Sequence, residues 1–272
     1  MDILPGPQIG ALLDKYGSPL YVYNETILKN NIARLRHAFP QAQLYHFTPS
    51  NRCPGILRLM RRHMDGMTAT TPLGALRALR YVKPQQVIVS GSNYSRADLD
   101  ALLAIPGLRI NCNSIEELRQ VAALQPGRNV GVRIDTCVKT RLYAQEGEMD
   151  IALSQISAIE TIDIKVEMIH CYAGTAQSNH NLTDSAKALC DTVLRHPGAF
   201  RHLKAINIAG GIAFDDMTGA FPDLSDFGRQ VGQLIESLQA RLGRPLSLIL
   251  EPGRIIMASS ASMYCHINQV YE

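Results

Sequence analysis

Two short apolar runs decide the fold: Ala205-Ile-Asn-Ile-Ala-Gly-Gly211 and Leu246-Ser-Leu-Ile-Leu-Glu-Pro-Gly-Arg254. Each has the length and the branched aliphatic residues of a buried strand, and each ends in glycine and polar residues. The segment between them, Ser225–Leu242, carries apolar residues at helical spacing. A strand, a helix and a second strand in succession predict that the two strands pair in parallel, with the helix packed outside them.

The same alternation extends over the rest of the chain. Strands are predicted over Leu44–Thr48, Gly66–Thr70, Val87–Gly91, Leu108–Asn113, Val130–Asp135, Ile164–Tyr172, Ala205–Gly210 and Leu246–Glu251. Further helices are predicted over Glu25–Phe39, Ser95–Ala104 and Ser114–Leu124, and we expect the first of these to close the barrel's entrance. Eight parallel strands in one domain close most naturally into a barrel. An open doubly wound sheet is the rival, but no GxGxxG motif follows the first strand. The sequence therefore predicts a single α/β domain, a parallel (β/α)8 TIM barrel over residues 1–272.

Composition excludes several classes of function. Hydrophobic residues make up 46% and charged residues 19% of the 272 residues, which is typical of a globular protein. A net charge of +3 without a block of like charges argues against a nucleic-acid or membrane surface. The six cysteines lack the spacing of metal ligands, so no metal site is predicted. Without a signal-peptide pattern or an apolar run of about 18 residues, we expect a cytoplasmic protein.

The carboxyl ends of the predicted strands form the candidate site, because barrels place their working residues there. These ends are polar, small or cationic, unlike the strand interiors. They read Pro49-Ser50-Asn51, Thr70-Thr71, Ser90-Gly91-Ser92-Asn93, Asn113, Arg133-Ile134-Asp135, His170-Cys171-Tyr172, Ala209-Gly210-Gly211 and Glu251-Pro252-Gly253-Arg254.

Two successive strand ends predict an anion site. Gly210 and Gly211 let backbone N–H groups approach a ligand, and Gly253 and Arg254 follow the next strand. Barrels commonly hold phosphate at this position. The alternative is a tight turn beside a surface charge.

Four further side chains at the strand ends need partners or a role. Glu251, at the end of a buried strand, should face a cation, a protonated ring nitrogen or Arg254, and a structural ion pair is the alternative. Arg133, inside an apolar strand, needs an anion. His170 and Tyr172 point to the same side of their strand, away from Cys171, and are the candidate catalytic residues. The alternative for His170 is a core histidine with satisfied hydrogen bonds.

Several motifs, taken in order, resemble one known family. They are Tyr16-Gly-Ser-Pro-Leu-Tyr-Val-Tyr-Asn24, Ile110-Asn-Cys-Asn-Ser-Ile-Glu-Glu-Leu118, Val132-Arg-Ile-Asp135, His170-Cys-Tyr-Ala-Gly-Thr175, Asn207-Ile-Ala-Gly-Gly-Ile212 and Leu250-Glu-Pro-Gly-Arg254. Together they resemble the diaminopimelate and ornithine decarboxylase family, which has the alanine-racemase-like barrel. The resemblance covers roughly residues 10 to 272.

The resemblance implies a pyridoxal phosphate site and a dimer. In the family, the counterparts of Arg254 and of the glycine turn hold the cofactor phosphate, and the counterpart of Glu251 pairs with the pyridinium nitrogen. Arg133 and Thr175 match other positions that contact the cofactor. A carboxylate at the ring nitrogen keeps the ring protonated as an electron sink.

The sequence departs from the family at the positions that carry the chemistry. Where the family has the lysine that binds the cofactor covalently, the stretch His46-Phe-Thr-Pro-Ser-Asn51 places Pro49 and leaves Asn51 in place. Proline has no amine, so pyridoxal phosphate is expected to bind non-covalently at best. Thr68 replaces an acid, Tyr172 replaces the histidine that stacks on the ring, and Ala209 replaces the first glycine of the phosphate turn.

The resemblance also implies a β-rich C-terminal domain that supplies catalytic residues, partly across a dimer interface. The sequence ends about where that domain would begin, and whether it is a piece of a longer protein stays open. The final segment, Met263–Val270, has the pattern of a strand without a neighbour.

These observations lead to one principal hypothesis and two alternatives. The principal one is a decarboxylase-like barrel that has lost the parent reaction, keeps a site for an anionic or phosphorylated small molecule, and acts as a partner or regulatory subunit in a homo- or hetero-oligomer. The first alternative is an enzyme of amino-acid-derived metabolite biosynthesis, of decarboxylase, lyase or racemase type. It would use pyridoxal phosphate non-covalently or a different chemistry, with proton transfer by His170 or Tyr172. A purely structural remnant is the second alternative.

Overall fold

A closed parallel barrel forms the body of the protein. The computed structural model describes residues 4–136, 150–175, 179–215 and 217–270. Its strands are β1 (Leu20–Tyr23), β2 (Ala42–Phe47), β3 (Gly66–Ala69), β4 (Val87–Val89), β5 (Arg109–Cys112), β6 (Arg128–Asp135), β7 (Ile151–Ala152), β8 (Ile164–His170), β9 (Ala205–Asn207), β10 (Ser247–Leu250) and β11 (Ala261–Tyr264). Eight of them pair in the order β5-β4-β3-β2-β10-β9-β8-β6, and a pairing of β5 with β6 closes the ring. This confirms the predicted barrel. The short β7 lies beside β6, outside the ring.

Helices follow most of the barrel strands. They are α1 (Gly6–Tyr16), α2 (Glu25–Ala38), α3 (Pro54–His63), α4 (Pro72–Ala78), α5 (Arg96–Leu103), α6 (Ile115–Leu124), α7 (Ile156–Ile159), α8 (His180–Arg195), α9 (Ser225–Leu242) and α10 (Arg254–Met257). Short 3-10 turns occur at Thr48–Ser50, Pro84–Gln86 and Leu153–Gln155. The four predicted helices are all present. Ser95 and Ser114 cap two of them by accepting hydrogen bonds from Asp98 N and Glu117 N.

Helix α2 lies in the outer ring beside α9 and does not close the barrel's entrance as predicted. Phe39 packs edge-on against Phe227 of α9, with ring centroids 5.1 Å apart. Gly228 lets α9 approach the carbonyl oxygen of Ala38, where a larger residue would collide. Asn31 donates a hydrogen bond of 3.0 Å to the carbonyl oxygen of Ile256 in α10. Helix α2 thus lies in the outer ring next to α9, where a regular barrel would have a longer helix after β10 than the short α10.

The middle of the barrel is a packed core. A cluster of buried side chains from five strands fills it: Tyr45, Ile88, Met168, Ala205 and Ile249. A larger apolar layer lies between the strands and the helices. Since interior side chains occupy the barrel's centre, a ligand site has to lie at one of its ends.

A small antiparallel sheet stands beside the barrel. Strand β1 pairs with β11, with Leu20 opposite Tyr264 and Tyr23 opposite Ala261. The prediction of an unpaired strand over Met263–Val270 is wrong, because β11 ends at Tyr264 and already has β1 as its neighbour. The alternating run of β1 offers an edge for this pairing.

In the described ranges, no helix is both long and apolar enough to cross a bilayer.

Candidate functional site

A cavity of about 380 Å³ opens at the carboxyl ends of the barrel strands. It brings together residues from most of the predicted strand ends. The lining residues are Phe47, Ser50, Thr70, Ser90, Arg133, His170, Tyr172, Thr175, Gly210, Gly211, Ile212, Glu251, Gly253, Arg254 and Ile255. The polar and glycine residues of different strand ends therefore converge in one cavity.

The glycine turn after β9 and the loop after β10 meet at one side of this cavity. A side chain at Gly210 would collide with the carbonyl oxygen of Glu251. Gly211 has a φ of +78°, which favours glycine. It also lies against the carbonyl oxygen of Gly174, with which any side chain would collide. Arg254 begins α10 at the same side, and its side chain is exposed. At this side of the cavity, the wall therefore consists of backbone atoms without side chains, next to the positive charge of Arg254.

Glu251 is a buried carboxyl group with a neutral partner. It is 4% exposed, and its Oε1 accepts a hydrogen bond of 2.6 Å from Nδ2 of Asn207. Burial raises the pKa of Glu251 to about 7, against the lowering effects of Asn207, Thr68 and Arg133. The hydrogen-bonded partner is thus an amide and not Arg254, which corrects one of the predicted alternatives. A carboxyl group with this pKa carries its proton about half of the time at neutral pH.

Arg133 finds its predicted anion inside the chain. Its Nε lies 2.9 Å from Oδ1 of Asp150, and both side chains are largely buried. The guanidinium group also lies 5.7 Å from the ring centroid of Tyr172. These contacts make Arg133 part of the cavity wall and bring a positive charge near the other polar groups of the site.

His170 and Tyr172 both line the cavity, whereas Cys171 packs in the apolar layer behind it. The predicted alternation is therefore confirmed. The hydroxyl oxygen of Tyr172 lies 3.3 Å from that of Thr175. Burial, followed by the charge of Arg133, lowers the pKa of His170 well below its ordinary value, so the imidazole is neutral at pH 7. A neutral imidazole with a lowered pKa is a weak general base.

The three residues predicted at the mouth do not line the cavity. Pro49 lies in the 3-10 turn after β2, between Phe47 and Ser50, which do. Asn51 donates to the hydroxyl group of Tyr23 at 2.9 Å and accepts from the backbone N–H of Cys53 at 2.9 Å, so it holds the turn. Thr68 is fully buried in β3 and acts against the rise in the pKa of Glu251 that burial causes.

Lysine is missing from the described wall of the cavity. The six lysines in the described ranges have exposed side chains: Lys15, Lys29, Lys83, Lys165, Lys187 and Lys204. Lys139 and Cys137 lie outside the described residues. Among the described residues, no three side chains that bind metals lie together, and the five cysteines are unpaired.

Sequence reasoning missed several residues of the site. Phe47, Ile212 and Ile255 line the cavity. Asn111 contacts the imidazole of His170, and Asn207 donates a hydrogen bond to Glu251. The sequence carried a signal for the two asparagines, since each is an amide between apolar residues of a predicted strand, and both are fully buried. A buried amide requires polar partners. The three apolar residues carry no comparable signal.

The barrel has glycine turns, an arginine and a buried carboxyl group at its carboxyl mouth, where barrels commonly hold phosphate groups. Residues 26–258 match the family described as pyridoxal-dependent decarboxylase, pyridoxal binding domain, and the chain belongs to that family.

Individual relatives agree with this assignment and confirm the resemblance in the motifs. The diaminopimelate decarboxylase of Methanothermobacter thermautotrophicus is 24% identical over 291 residues, which cover 99% of this chain and 68% of that relative. A crystal structure of diaminopimelate decarboxylase superposes with a TM-score of 0.85 at 22% identity, over 96% of this chain and 64% of that one. The crystal structure of an SrLDC mutant in complex with PLP superposes with a TM-score of 0.81 at 17% identity. The match covers 96% of this chain and 68% of that one. The chain thus spans about two thirds of the length of these relatives.

Proposed function

We propose that this barrel binds a phosphorylated pyridine of the pyridoxal phosphate type without a covalent bond to lysine. The observation that carries the proposal is the meeting of the glycine turns, Arg254 and Glu251 in one cavity. Gly210, Gly211, Gly253 and Arg254 would hold the phosphate group, and Glu251 would face the basic ring nitrogen. When bound, such a cofactor supplies an electron sink for reactions at an amino-acid carbon.

The residues present fit such a ligand in size and in polarity. A cavity of about 380 Å³ is in the range of small-molecule sites. Glu251 can share a proton with a basic nitrogen near neutral pH, because burial has already raised its pKa to about 7. His170 adds a buried ring nitrogen, Nε2, without a hydrogen-bond partner in the described part of the chain. A ligand with a phosphate group, a basic nitrogen and an oxygen acceptor would satisfy all of these groups.

We further propose that the parent decarboxylation is lost and that the barrel serves as a ligand-binding partner or regulatory subunit. Support comes from Pro49 in the turn where the family's lysine is expected and from the exposed positions of the described lysines. A relative in this family that can bind the cofactor but cannot hold it covalently is suited to sensing or to regulating a catalytic homologue.

An enzyme that uses the cofactor non-covalently is a second candidate, and Glu251 is the observation that favours it. A carboxyl group with a pKa of about 7 at a cavity can give and take a proton at neutral pH. Protein loaded with pyridoxal phosphate, incubated with basic amino acids in D₂O, distinguishes the two candidates. Release of CO₂ or exchange of the Cα proton supports an enzyme, whereas binding without either supports the subunit.

Binding is tested first, by titrating the purified chain with pyridoxal phosphate and following absorbance, with pyridoxal as the control that lacks the phosphate group. We expect saturable binding of the phosphorylated form and much weaker binding of pyridoxal. Borohydride treatment followed by peptide mass mapping should then give no stoichiometric adduct. A stoichiometric adduct on a single lysine, Lys139 included, would overturn the non-covalent proposal and restore the decarboxylase reaction as the leading hypothesis.

A further inference from the structure

The imidazole of His170 has one nitrogen anchored in the protein and one without a partner. The residue ends β8, is 2% exposed and lines the cavity. Its Nδ1 lies 3.1 Å from Nδ2 of Asn111 and 3.3 Å from Oγ of Ser90. Its Nε2 is buried and has no hydrogen-bond partner among the described residues. Most buried polar atoms in proteins have a hydrogen-bond partner, and a molecule bound in the cavity can supply one for Nε2.

Asn111 decides which nitrogen of the ring carries the proton. An amide nitrogen only donates hydrogen bonds, so Nδ1 of His170 is the acceptor and the single proton of the neutral ring lies on Nε2. In this orientation Oδ1 of Asn111 lies beside Gly131 of the neighbouring strand β6, where any side chain would collide with it. Glycine at position 131 therefore makes room for the amide that orients the imidazole.

Burial, followed by the positive charge of Arg133, keeps the ring neutral. Arg133 is the charge that, after burial, lowers the pKa of His170. Glu251 lines the same cavity and carries its proton about half of the time at neutral pH. A neutral Nε2–H is a hydrogen-bond donor that needs an oxygen acceptor in the cavity.

We infer that His170 presents Nε2–H to an oxygen of the molecule bound in the cavity, and that Asn111 is the positioning residue that fixes this tautomer. The identity of the ligand rests on the proposed function, whereas the tautomer does not. The donor selects ligands that carry an oxygen acceptor in addition to the phosphate group. His170 then contributes recognition and not proton abstraction.

The tautomer is measured by NMR on the full chain labelled with ¹⁵N-histidine, without ligand, at pH 7. We expect the neutral Nε2–H form for the signal that disappears in His170→Gln. In Asn111→Asp, the carboxylate accepts from the ring, so the proton should move to Nδ1. Asn113→Ser is the matched control, because Asn113 is buried two residues further along the chain and contacts Ser92 instead. A wild-type signal of the Nδ1–H form or of the imidazolium would overturn the inference.

The contact with the ligand is measured by comparing two probes, pyridoxal phosphate and inorganic phosphate. His170→Phe keeps an aromatic ring but removes the donor, and it should weaken binding of pyridoxal phosphate by roughly tenfold. Binding of inorganic phosphate should not change, because Arg254 and the glycines are assigned to it. His170→Gln retains an N–H donor and should restore part of the affinity. Circular dichroism establishes that each variant is folded.

Two outcomes separate this inference from the proposed function. If His170→Phe binds pyridoxal phosphate as tightly as the wild type, the donor role is wrong while the proposed function stands. If the wild type binds no pyridoxal phosphate, the proposed function fails together with the ligand contact, and the tautomer is still decided by the NMR measurement.

Discussion

At the scale of single residues, Glu251 combines a buried position with a partner that carries no charge. Its carboxyl group accepts from Asn207, and burial raises its pKa to about 7 from an ordinary value of 4.5. Between pH 4.5 and about pH 7, the folded chain therefore binds a proton that the unfolded chain releases. Stability from this group is fully present below pH 4.5 and is lost as the pH rises through 7.

Glu251→Gln tests this linkage. Glutamine keeps the oxygen that accepts from Asn207 but does not ionise. The contribution of this group to the free energy of unfolding should therefore not decline between pH 5 and pH 8 in the variant. The difference is expected to be about 2–3 kcal/mol in the free energy of unfolding, from a pKa change of this size. Urea denaturation of both proteins at the two pH values measures it. Identical pH dependence in the two proteins would mean that the carboxyl group is ionised in the folded state.

Arg254→Gln tests the anion site. A charge-assisted hydrogen bond to phosphate contributes roughly 1.5–3 kcal/mol, so the affinity for pyridoxal phosphate should fall by roughly ten- to a hundredfold. Arg96→Gln is the matched control, because Arg96 is an exposed helical arginine that is paired with Asp100 and does not line the cavity. Unchanged affinity in Arg254→Gln would remove this residue from the site.

At the scale of the elements, the sequence was informative about strands and less so about loops. All eight barrel strands follow from short apolar runs, because the strands of a parallel barrel are buried on both faces. The sides to which His170 and Cys171 point follow from the alternation of side chains along a strand. Loops follow no period, so it was not predictable that Ser50 would line the cavity while its neighbours Pro49 and Asn51 would not. The partners Asn207 and Asp150 were missed for a related reason, since contacts between distant segments depend on the register of the closed barrel.

The ion pair of Arg133 with Asp150 joins the end of β6 to the start of β7. Both groups are largely buried, with side-chain exposures of 12% and 4%. Removing one partner of a buried ion pair is strongly destabilising, so Asp150→Ala should destabilise the fold by about 3 kcal/mol. Arg133→Leu combined with Asp150→Leu should recover part of that loss, because no buried charge remains. Chemical denaturation of the three proteins measures both effects, and equal losses in the single and double variants would contradict the explanation.

At the scale of the whole molecule, the small sheet of β1 and β11 carries a concentration of exposed apolar side chains. Tyr21 and Met263 are cross-strand neighbours, 60% and 56% exposed. Ile267 and Val270 follow β11 and are 82% and 79% exposed. A two-stranded sheet is marginal on its own, and soluble monomers rarely expose large apolar patches. These features are the structural support for the proposed homo- or hetero-oligomer.

We therefore expect the chain to associate through this sheet. Size-exclusion chromatography with light scattering, at tens of micromolar protein, should give a mass above that of the monomer, or a pull-down should recover a partner. Tyr21→Ser combined with Met263→Ser should shift the chain toward the monomer, because it removes the apolar contact without touching the barrel core. Leu73→Ser combined with Leu76→Ser is the matched control, since these side chains are 68% and 54% exposed on α4. If the wild-type chain is a monomer without a recovered partner, the subunit proposal fails, and a self-contained barrel that binds its ligand alone takes its place.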